Sequence, residues 1–596
     1  MGDAIPDAAV LPLNACVVLH LLLVYLSVEL FDAFDSIGAD VLGRLFVLSG
    51  LVPLSLLAVF VTRRALRNRR TLTPLAMLAV SLAALYLFVA LAPNGHNIDP
   101  DVALYHGPKQ LMHLIAGDLN LYSSPSPQQI LVISYFDNYN MALFALAGSH
   151  DFANALNVLI FALVSYNSVY LVQKLRRSAA SSLLMVLLLV GMPIMFGEVF
   201  IAKNNTFGIY LFTVSCVATL WLASRAPPRR RELILVAGAQ GVLFALIALG
   251  KATMSVALIP YVVLVSLYMA KRHWNDKTSL GLATLTGGGV FVVLVLPYVL
   301  RQLTGLMDAP SGGELSAWLD YWVFIPPRVG CGLYAWPQHF ATMADAVAAA
   351  VGYPFDANLT PDVCTRFSTD RPFWNLAVYN EGVPVVVTVL SVVILAIAAV
   401  RRMWLEVAVF VVAILSLMLH HMIYANSVWN YRLVGVTFYA LALGVALALG
   451  RTKLSWLKVG VIAVACVWSA VVVYQNWTLD HGVRDSARNT RIFGTIESDE
   501  PVSVELHLGT RLSGYFALLG LLEMVGYDWE RLNVQFGNEF GGLYRLREVG
   551  DSPPTFTHSM YCLPPENVLA AGTVSGELAK RVDIGRAGCH IVADKQ

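Results

Sequence analysis

Residues 233–272 read LILVAGAQGVLFALIALGKATMSVALIPYVVLVSLYMAKR, and the fold is decided here. Two apolar runs, 233–250 and 252–269, abut at Lys251, the only charged residue before Lys271. Each run approaches the roughly 20 residues that a helix needs to cross a bilayer core. An ionisable group at such a junction is costly without a partner or a task. Lys251 therefore reads either as a functional cation or as a charge that interrupts two spans.

The same pattern recurs along the chain. Of the 596 residues, 57% are hydrophobic and only 13% charged, with a mean hydropathy of +0.65. A soluble domain carries about 25% charged residues to keep its surface wet. Thirteen apolar spans are expected, near 13–31, 41–61, 72–91, 152–172, 179–195, 207–223, 233–250, 252–269, 280–300, 383–400, 404–422, 432–449 and 459–476. The basic runs test this count. Arg63 to Arg70 follow the second span, Lys174 to Arg177 the fourth, and Arg225 to Arg231 the sixth. Lys271 to Lys277 follow the eighth, Arg401 and Arg402 the tenth, and Arg451 to Lys458 the twelfth. Every cluster falls after an even-numbered span, so all face one side, which the positive-inside rule makes cytoplasmic. The expected fold is a polytopic all-α membrane domain over 1–476, followed by a domain at 477–596. The amino terminus is then cytoplasmic and the carboxyl-terminal domain extracytoplasmic. No basic region precedes the first apolar run, so no cleavable signal peptide is expected. The basic runs report topology and give no indication of nucleic-acid binding.

Three outer loops, 92–151, 196–206 and 301–382, are long or polar enough to carry chemistry. In the tail, alternation such as Val502-Ser503-Val504-Glu505-Leu506 and Gly542-Leu543-Tyr544-Arg545-Leu546 predicts a small mixed α/β domain. Cys331 and Cys364 in one loop, and Cys562 and Cys589 in the tail, fall on the oxidising face and suggest two local disulfides. Cys16, Cys216 and Cys466 lie within spans and read as buried apolar residues.

The first outer loop begins Asn97-Ile98-Asp99-Pro100-Asp101-Val102-Ala103-Leu104-Tyr105-His106-Gly107-Pro108-Lys109, with an amphipathic helix expected after it. The second holds Glu198-Val199-Phe200-Ile201-Ala202-Lys203-Asn204-Asn205. The set Asp101, Tyr105, His106, Pro108 and Lys109 resembles the first outer loop of GT-C superfamily glycosyltransferases, polytopic enzymes that use polyprenyl-phosphate-linked sugars. The second patch resembles their Lys-Asn-Asp element, with Asn205 where an Asp is common. Leu249-Gly250-Lys251 and Asn430-Tyr431-Arg432 carry weaker likenesses. The resemblance covers roughly 72–476 and leaves the first two spans as an addition in front.

The resemblance implies a bacterial inner-membrane transferase. Its donor would be a sugar on polyprenyl phosphate, and its acceptor a glycolipid or envelope polysaccharide. Transfer with inversion breaks an anomeric C–O bond, so a carboxylate must take the proton of the attacking hydroxyl. The departing phosphate needs positive charge. Carried over, Asp101 would be the general base and Asp99 and Glu198 further carboxylates. Tyr105, His106, Lys109, Lys203, Asn204, Lys251 and Arg432 would bind substrate. Plainer roles stand beside these: Asp101 as a helix cap, His106 paired locally, Glu198 paired with Lys203, Arg432 as a span anchor. His420 and His421 read as structural. Tyr321, Trp322, Tyr334 and Trp336 either stack on sugar or belong to an interfacial belt. Asp99 and Asp101 offer the hard oxygen ligands that Mg²⁺ or Mn²⁺ prefers, although the scheme does not require a metal. A lipid-linked oligosaccharide polymerase or ligase, a transporter or flippase, and a membrane-anchored assembly protein are the competing readings.

Overall fold

The computed structural model describes residues 7–34, 38–65, 72–91, 135–147, 154–201, 203–225, 229–307, 329–353, 384–423 and 434–478. It also describes His106, Gln110, His113, Leu114, Leu119, Leu359, Pro361, Cys364 and six strands of the tail. The helices are α1 (Asp7–Ala33), α2 (Ala39–Ala65), α3 (Leu72–Ala90), α4 (Tyr135–Ala147), α5 (Ala155–Arg176), α6 (Ala179–Val190) and α7 (Pro193–Phe196). After a single 3₁₀ turn (Gly197–Phe200) come α8 (Asn205–Ser224), α9 (Arg230–Gly250), α10 (Ala252–Arg272) and α11 (Lys277–Met307). The remainder are α12 (Val329–Ala350), α13 (Val385–Val400), α14 (Trp404–Ile423), α15 (Gly435–Arg451) and α16 (Ser455–Thr478).

Among the described residues, nine helices are long and apolar enough to cross a membrane, and three shorter apolar helices start at Pro74, Val385 and Gly435. One further pair passes only if a 73° bend is allowed, between Ala179–Val190 and Pro193–Phe200. Each expected span thus has its helix, but the fifth, read as continuous over 179–195, is broken. Gly191 closes α6 by donating its N–H to Leu187 O (2.8 Å), and Pro193 starts the next helix, where its missing N–H costs nothing. Trp468 Nε1 donates to Gly191 O (2.7 Å), so α16 satisfies a carbonyl that the break releases, and Ser469 Oγ adds a second donor to Leu187 O (2.6 Å).

The core is formed by α5, α8 and α15, and α15 is buried at every position from Gly435 to Leu449. The outer helices carry large exposed apolar side chains such as Leu51, Leu54, Val263, Leu267 and Val293, which in a bilayer meet lipid. Where α9 and α11 pack, Gly241 and Gly287 bring the backbones together. A Cβ at Gly287 would lie 2.8 Å from Ala237 O.

Among the described residues, ion pairs and caps gather Lys174, Arg176, Arg272 and Arg451 at one end of the bundle. Arg176 Nε donates to the fully buried Glu406 Oε1 (3.1 Å), and Arg451 Nη1 stands 3.6 Å from its Oε2. Lys174 Nζ reaches Asp7 Oδ1 at 2.7 Å, which brings the start of α1 to this end. Arg272 donates to the carbonyls of Ala223 and Arg225, joining the ends of α8 and α10.

Two segments read as outer loops hold helices. In α4, the residues Tyr135–Ala142 are all buried. Its Tyr135 hydroxyl donates to Leu21 O, about half-way along α1, so α4 begins deep in the bundle. The other is α12, an amphipathic helix turned inside out. Gln338, His339, Thr342 and Asp345 are buried, whereas Val329, Leu333, Phe340, Val347 and Val351 are exposed. The first two helices are more than an addition in front. Asn14 of α1 and Asn167 of α5 exchange hydrogen bonds (2.8 and 3.0 Å), and Asn167 also donates to Thr213 of α8 (3.2 Å).

The tail strands β1 (Val504–Leu508), β2 (Leu532–Gly537), β3 (Leu543–Arg545), β4 (His558–Cys562), β5 (Leu578–Ile584) and β6 (Ala587–Ala593) form a sheet in the order β3-β2-β1-β4-β6-β5. β1 pairs in parallel with β2 and β4, and the remaining pairs are antiparallel. Cys331 and Cys364 are disulfide-bonded, with Cα atoms 5.4 Å apart. In the β4–β6 register Tyr561 faces His590, and continuing it by one residue sets Cys562 opposite Cys589.

Non-reducing peptide mapping is expected to recover both Cys331–Cys364 and Cys562–Cys589; a crossed pairing would contradict the layout. Replacing Glu406 by Ala removes the buried carboxylate that the half-buried Arg176 guanidinium bonds and should cost roughly 2–3 kcal/mol. Arg451→Ala should cost below about 1 kcal/mol, because that pair is half exposed and longer. Thermal unfolding in detergent measures both.

Candidate active site

The site is built where the chain leaves helical geometry, and two asparagines at the start of α5 hold it. Asn154 Nδ2 donates to Val199 O (2.9 Å). Asn157 Nδ2 donates to Ile201 O (2.6 Å) and Lys203 O (2.8 Å), while its Oδ1 accepts from Thr206 Oγ1 (3.1 Å). Buried carbonyls without such partners would each be costly, so these side chains permit an irregular segment within the bundle. Neither asparagine was expected as a site residue, although polar side chains at the start of an otherwise apolar span were the available signal.

On this segment Glu198 is completely buried, and Lys203 is only 2% exposed. The Glu198 carboxylate accepts from the Thr206 backbone N–H (3.0 Å) through Oε2 and from Asn205 Nδ2 through Oε1. Asn205 Oδ1 in turn accepts from Lys251 Nζ. A continuous chain therefore runs from carboxylate through amide to ammonium. The charges of Lys251 and Lys203 both act on Glu198, Lys251 the more strongly. Glu198 is thus not simply the partner of Lys203.

Lys251 occupies the break between α9 and α10, with extended backbone (φ −160°, ψ 97°). Asn204 Nδ2 donates to Gly250 O (3.0 Å), tying the two irregular segments together. Gly250 is packed flush under Phe207: a Cβ there would lie 2.6 Å from Phe207 Cδ1. The Phe207 ring also contacts Tyr135 (5.6 Å between centroids) and Phe136 (6.3 Å). Next along α4 is Asp137, whose carboxylate receives His106 Nδ1 at 2.8 and 2.9 Å and Gln110 Nε2 at 3.4 Å. His106 and Asp137 are both buried. Phe207 thus stands between the His106–Asp137 pair and the Lys251 chain. Asp137 was not expected as a site residue. Leu21, whose carbonyl accepts the Tyr135 hydroxyl, lies some 12 residues before the end of α1, so that contact is roughly 18 Å below that end.

His420, read as structural, is buried at the end of α14, and its ring interacts electrostatically with Lys251 and with His421. All these groups lie at helix ends remote from the basic clusters. α5 runs from Asn157 to Arg176, α8 from Asn205 to the Arg272-bonded end, and α14 from Glu406 to His420. The positive ends of α8 and α10 meet here with two lysines, an arrangement suited to an anion.

The structure thus gathers Glu198, Lys203, Asn204 and Lys251, with His106 close by. Asp99, Asp101, Tyr105, Lys109 and Arg432 lie outside the described residues, as do Tyr321 and Trp322. Tyr334 is exposed on the apolar face of α12, as a belt residue would be, and Trp336 Nε1 donates to Ile414 O (3.3 Å). Among the described residues no three of His, Cys, Asp and Glu gather into a metal-binding group. The oxygen ligands that the sequence offers, Asp99 and Asp101, are not among those residues.

Comparison with protein families finds no match, and no curated protein matches. Among the solved structures that resemble the chain are two of one protein. One is ArnT from Cupriavidus metallidurans bound to undecaprenyl phosphate, 14% identical, with a TM-score of 0.49, covering 88% of this chain and 99% of that one. The other is the same protein in the apo state, 13% identical, with a TM-score of 0.41, covering 88% and 98%. At such identity no residue role passes from one chain to the other.

Asn157→Ala removes a donor from two buried carbonyls and should cost on the order of 2 kcal/mol, read by thermal unfolding. Asn157→Asp, which cannot donate, should destabilise at least as much; a neutral result for both would show that the turn holds itself.

Proposed function

We propose that the protein is an inverting glycosyltransferase that moves a sugar from a polyprenyl-phosphate donor to a glycolipid or polysaccharide acceptor. The observation that carries this reading is the pairing of buried Lys203 and half-buried Lys251 with the buried Glu198, away from the basic end of the bundle. With that basic end assigned to the cytoplasm, the site opens toward the outer leaflet and the tail lies outside.

In this reading the donor phosphate comes to Lys203 and Lys251, and its lipid tail remains among the exposed apolar helices. As the anomeric C–O bond breaks, negative charge grows on the phosphate oxygen, and the two ammonium groups stabilise it in surroundings drier than water. An acceptor hydroxyl attacks from the opposite face and loses its proton to a carboxylate. Asp101 takes that role. It lies five positions before His106, so covalent reach alone keeps the two within about 18 Å. Asp99 and Glu198 support the acceptor side and the lysines, respectively. Where a divalent cation binds, Asp99 and Asp101 would hold it. Buried histidines near Lys251 favour a second reading, a ligase that acts on a lipid-diphosphate-linked oligosaccharide.

In membranes containing the full-length protein, Asp101→Asn and Lys251→Ala should each lower sugar release from polyprenyl phosphate by about a hundredfold or more. Expression and thermal stability of Asp101→Asn should stay near those of the parent. Full activity of both variants would remove the transferase reading. Turnover only of a diphosphate-linked oligosaccharide would select the ligase.

A further inference from the structure

In α4, Asn140 is only 2% exposed, and neither its Nδ2 nor its Oδ1 has a hydrogen-bond partner. Among the described residues it is the one side-chain amide with both polar atoms buried and unpartnered. An amide taken out of water without compensation destabilises a protein, whereas an apolar side chain of similar shape is neutral or better. Other amides in the bundle are employed: Asn14 and Asn167 bond each other, and Asn157 holds the turn at Ile201 and Lys203. Folding gives no such reason for Asn140.

Its place on α4 gives one. Tyr139 meets His20 (3.0 Å) and Phe46 (5.1 Å between ring centroids), and a Cβ at Gly43 would lie 3.2 Å from Ala145 O. That side of α4 therefore packs on α1 and α2. Gly43 is close to the start of α2, so α4 climbs toward the end of the bundle where α1 gives way to α2. Asn140 follows Phe136 by four residues and Asp137 by three, which sets it on the strip between them, one turn nearer that end. Phe136 leans on Phe207, the ring that covers Gly250 beside Lys251, and Asp137 holds His106.

We propose that Asn140 is a substrate-binding residue that takes hydroxyl groups of the transferred sugar. The inference rests on the donor-phosphate reading and deepens it. During transfer the anomeric carbon lies between the departing phosphate oxygen and the entering hydroxyl. In that reading the phosphate comes to Lys203 and Lys251 on one side of Phe207, and the acceptor base lies five positions before His106 on the other. Asn140 stands on the strip between these sides. A carboxamide suits adjacent sugar hydroxyls, since Nδ2 donates to one and Oδ1 accepts from the next. It carries no charge, so it reads the arrangement of hydroxyls and not the phosphate.

The test uses the full-length protein in detergent. Its probes are farnesol, farnesyl phosphate, and farnesyl phosphate carrying glucose, galactose, mannose or arabinose, with the methyl glycosides of those sugars as unlinked controls. Binding is read from the rise in unfolding temperature as probe is added. The parent should bind at least one glycosylated probe more tightly than farnesyl phosphate. Asn140→Leu and Asn140→Ala should each lose about tenfold in affinity for that probe, the worth of one or two hydrogen bonds, and stay within about twofold of the parent for farnesyl phosphate. Without probe, Asn140→Leu should unfold no lower than the parent, because it removes a buried amide that has no partner. A structural role for Asn140 demands the reverse, a lower unfolding temperature with all probes weakened together. If the parent binds farnesyl phosphate no better than farnesol, the donor-phosphate reading fails and takes the proposal with it. If it does bind better, but no sugar improves on the phosphate or both variants hold the sugar as the parent does, the assignment of Asn140 fails alone. Loss confined to the methyl glycosides would give the amide to the acceptor and overturn its assignment to the transferred sugar. Should Asn140→Leu not fold, Asn140→Ala decides; if neither folds, Asn140 is structural and the proposal is overturned.

Discussion

A backbone that leaves helical geometry inside a bilayer must find its hydrogen-bond partners within the protein, and this architecture depends on meeting that demand. The chain departs from helix at Gly191–Met192, again between the 3₁₀ turn and α8, and once more at Lys251. Trp468 satisfies the first departure from α16, Asn154 and Asn157 satisfy the turn from α5, and Asn204 ties the turn to Gly250. Non-helical backbone at depth is tolerated where it is buried in protein or lines a cavity. Here it presents Glu198, Lys203, Asn205 and Lys251 to one another.

Electrostatics follows from that geometry. A lone ammonium within the bundle would be expensive, and two would repel. The carboxylate of Glu198 offsets part of that cost, and the Asn205 amide transmits its effect to Lys251 without adding charge. At the other end, Arg176 and Arg451 share the Glu406 carboxylate, and α5, α14 and α15 are simply locked there. One cluster fixes helix ends. The other sits beside irregular backbone, two helix N-termini and a buried His106–Asp137 pair, which is the setting of a binding site.

The first two helices contribute more than length. α1 runs from the Asp7–Lys174 pair at the basic end to an ion pair of Arg301 with Glu29 (2.6 Å) and Asp32 (2.7 Å) at the other. Between these it meets Asn167, Tyr139 through His20 (3.0 Å), and the Tyr135 hydroxyl. α4 is therefore held from below and from the side, and Asp137 is placed where His106 can reach it. The opposite wall includes α12, whose apolar outward face suits lipid better than water.

Span number was legible in the sequence, and so was the common end of Lys174, Arg176, Arg272 and Arg451, because both follow from local properties, apolar length and charge sequence. So were the second motif and Lys251, since a charge between two apolar runs stands out against its neighbours. The break at Gly191–Pro193 has a local signal that apolar length conceals. Asp137, Asn154 and Asn157 have almost none: each is an unremarkable polar residue until the fold brings a partner 31 to 46 positions away within hydrogen-bond distance. The sequence by itself determined that this chain crosses the membrane many times and which side chains are costly to leave there. Only the tertiary structure decided which of them share one site, because helix packing, unlike hydropathy, joins residues remote in the chain.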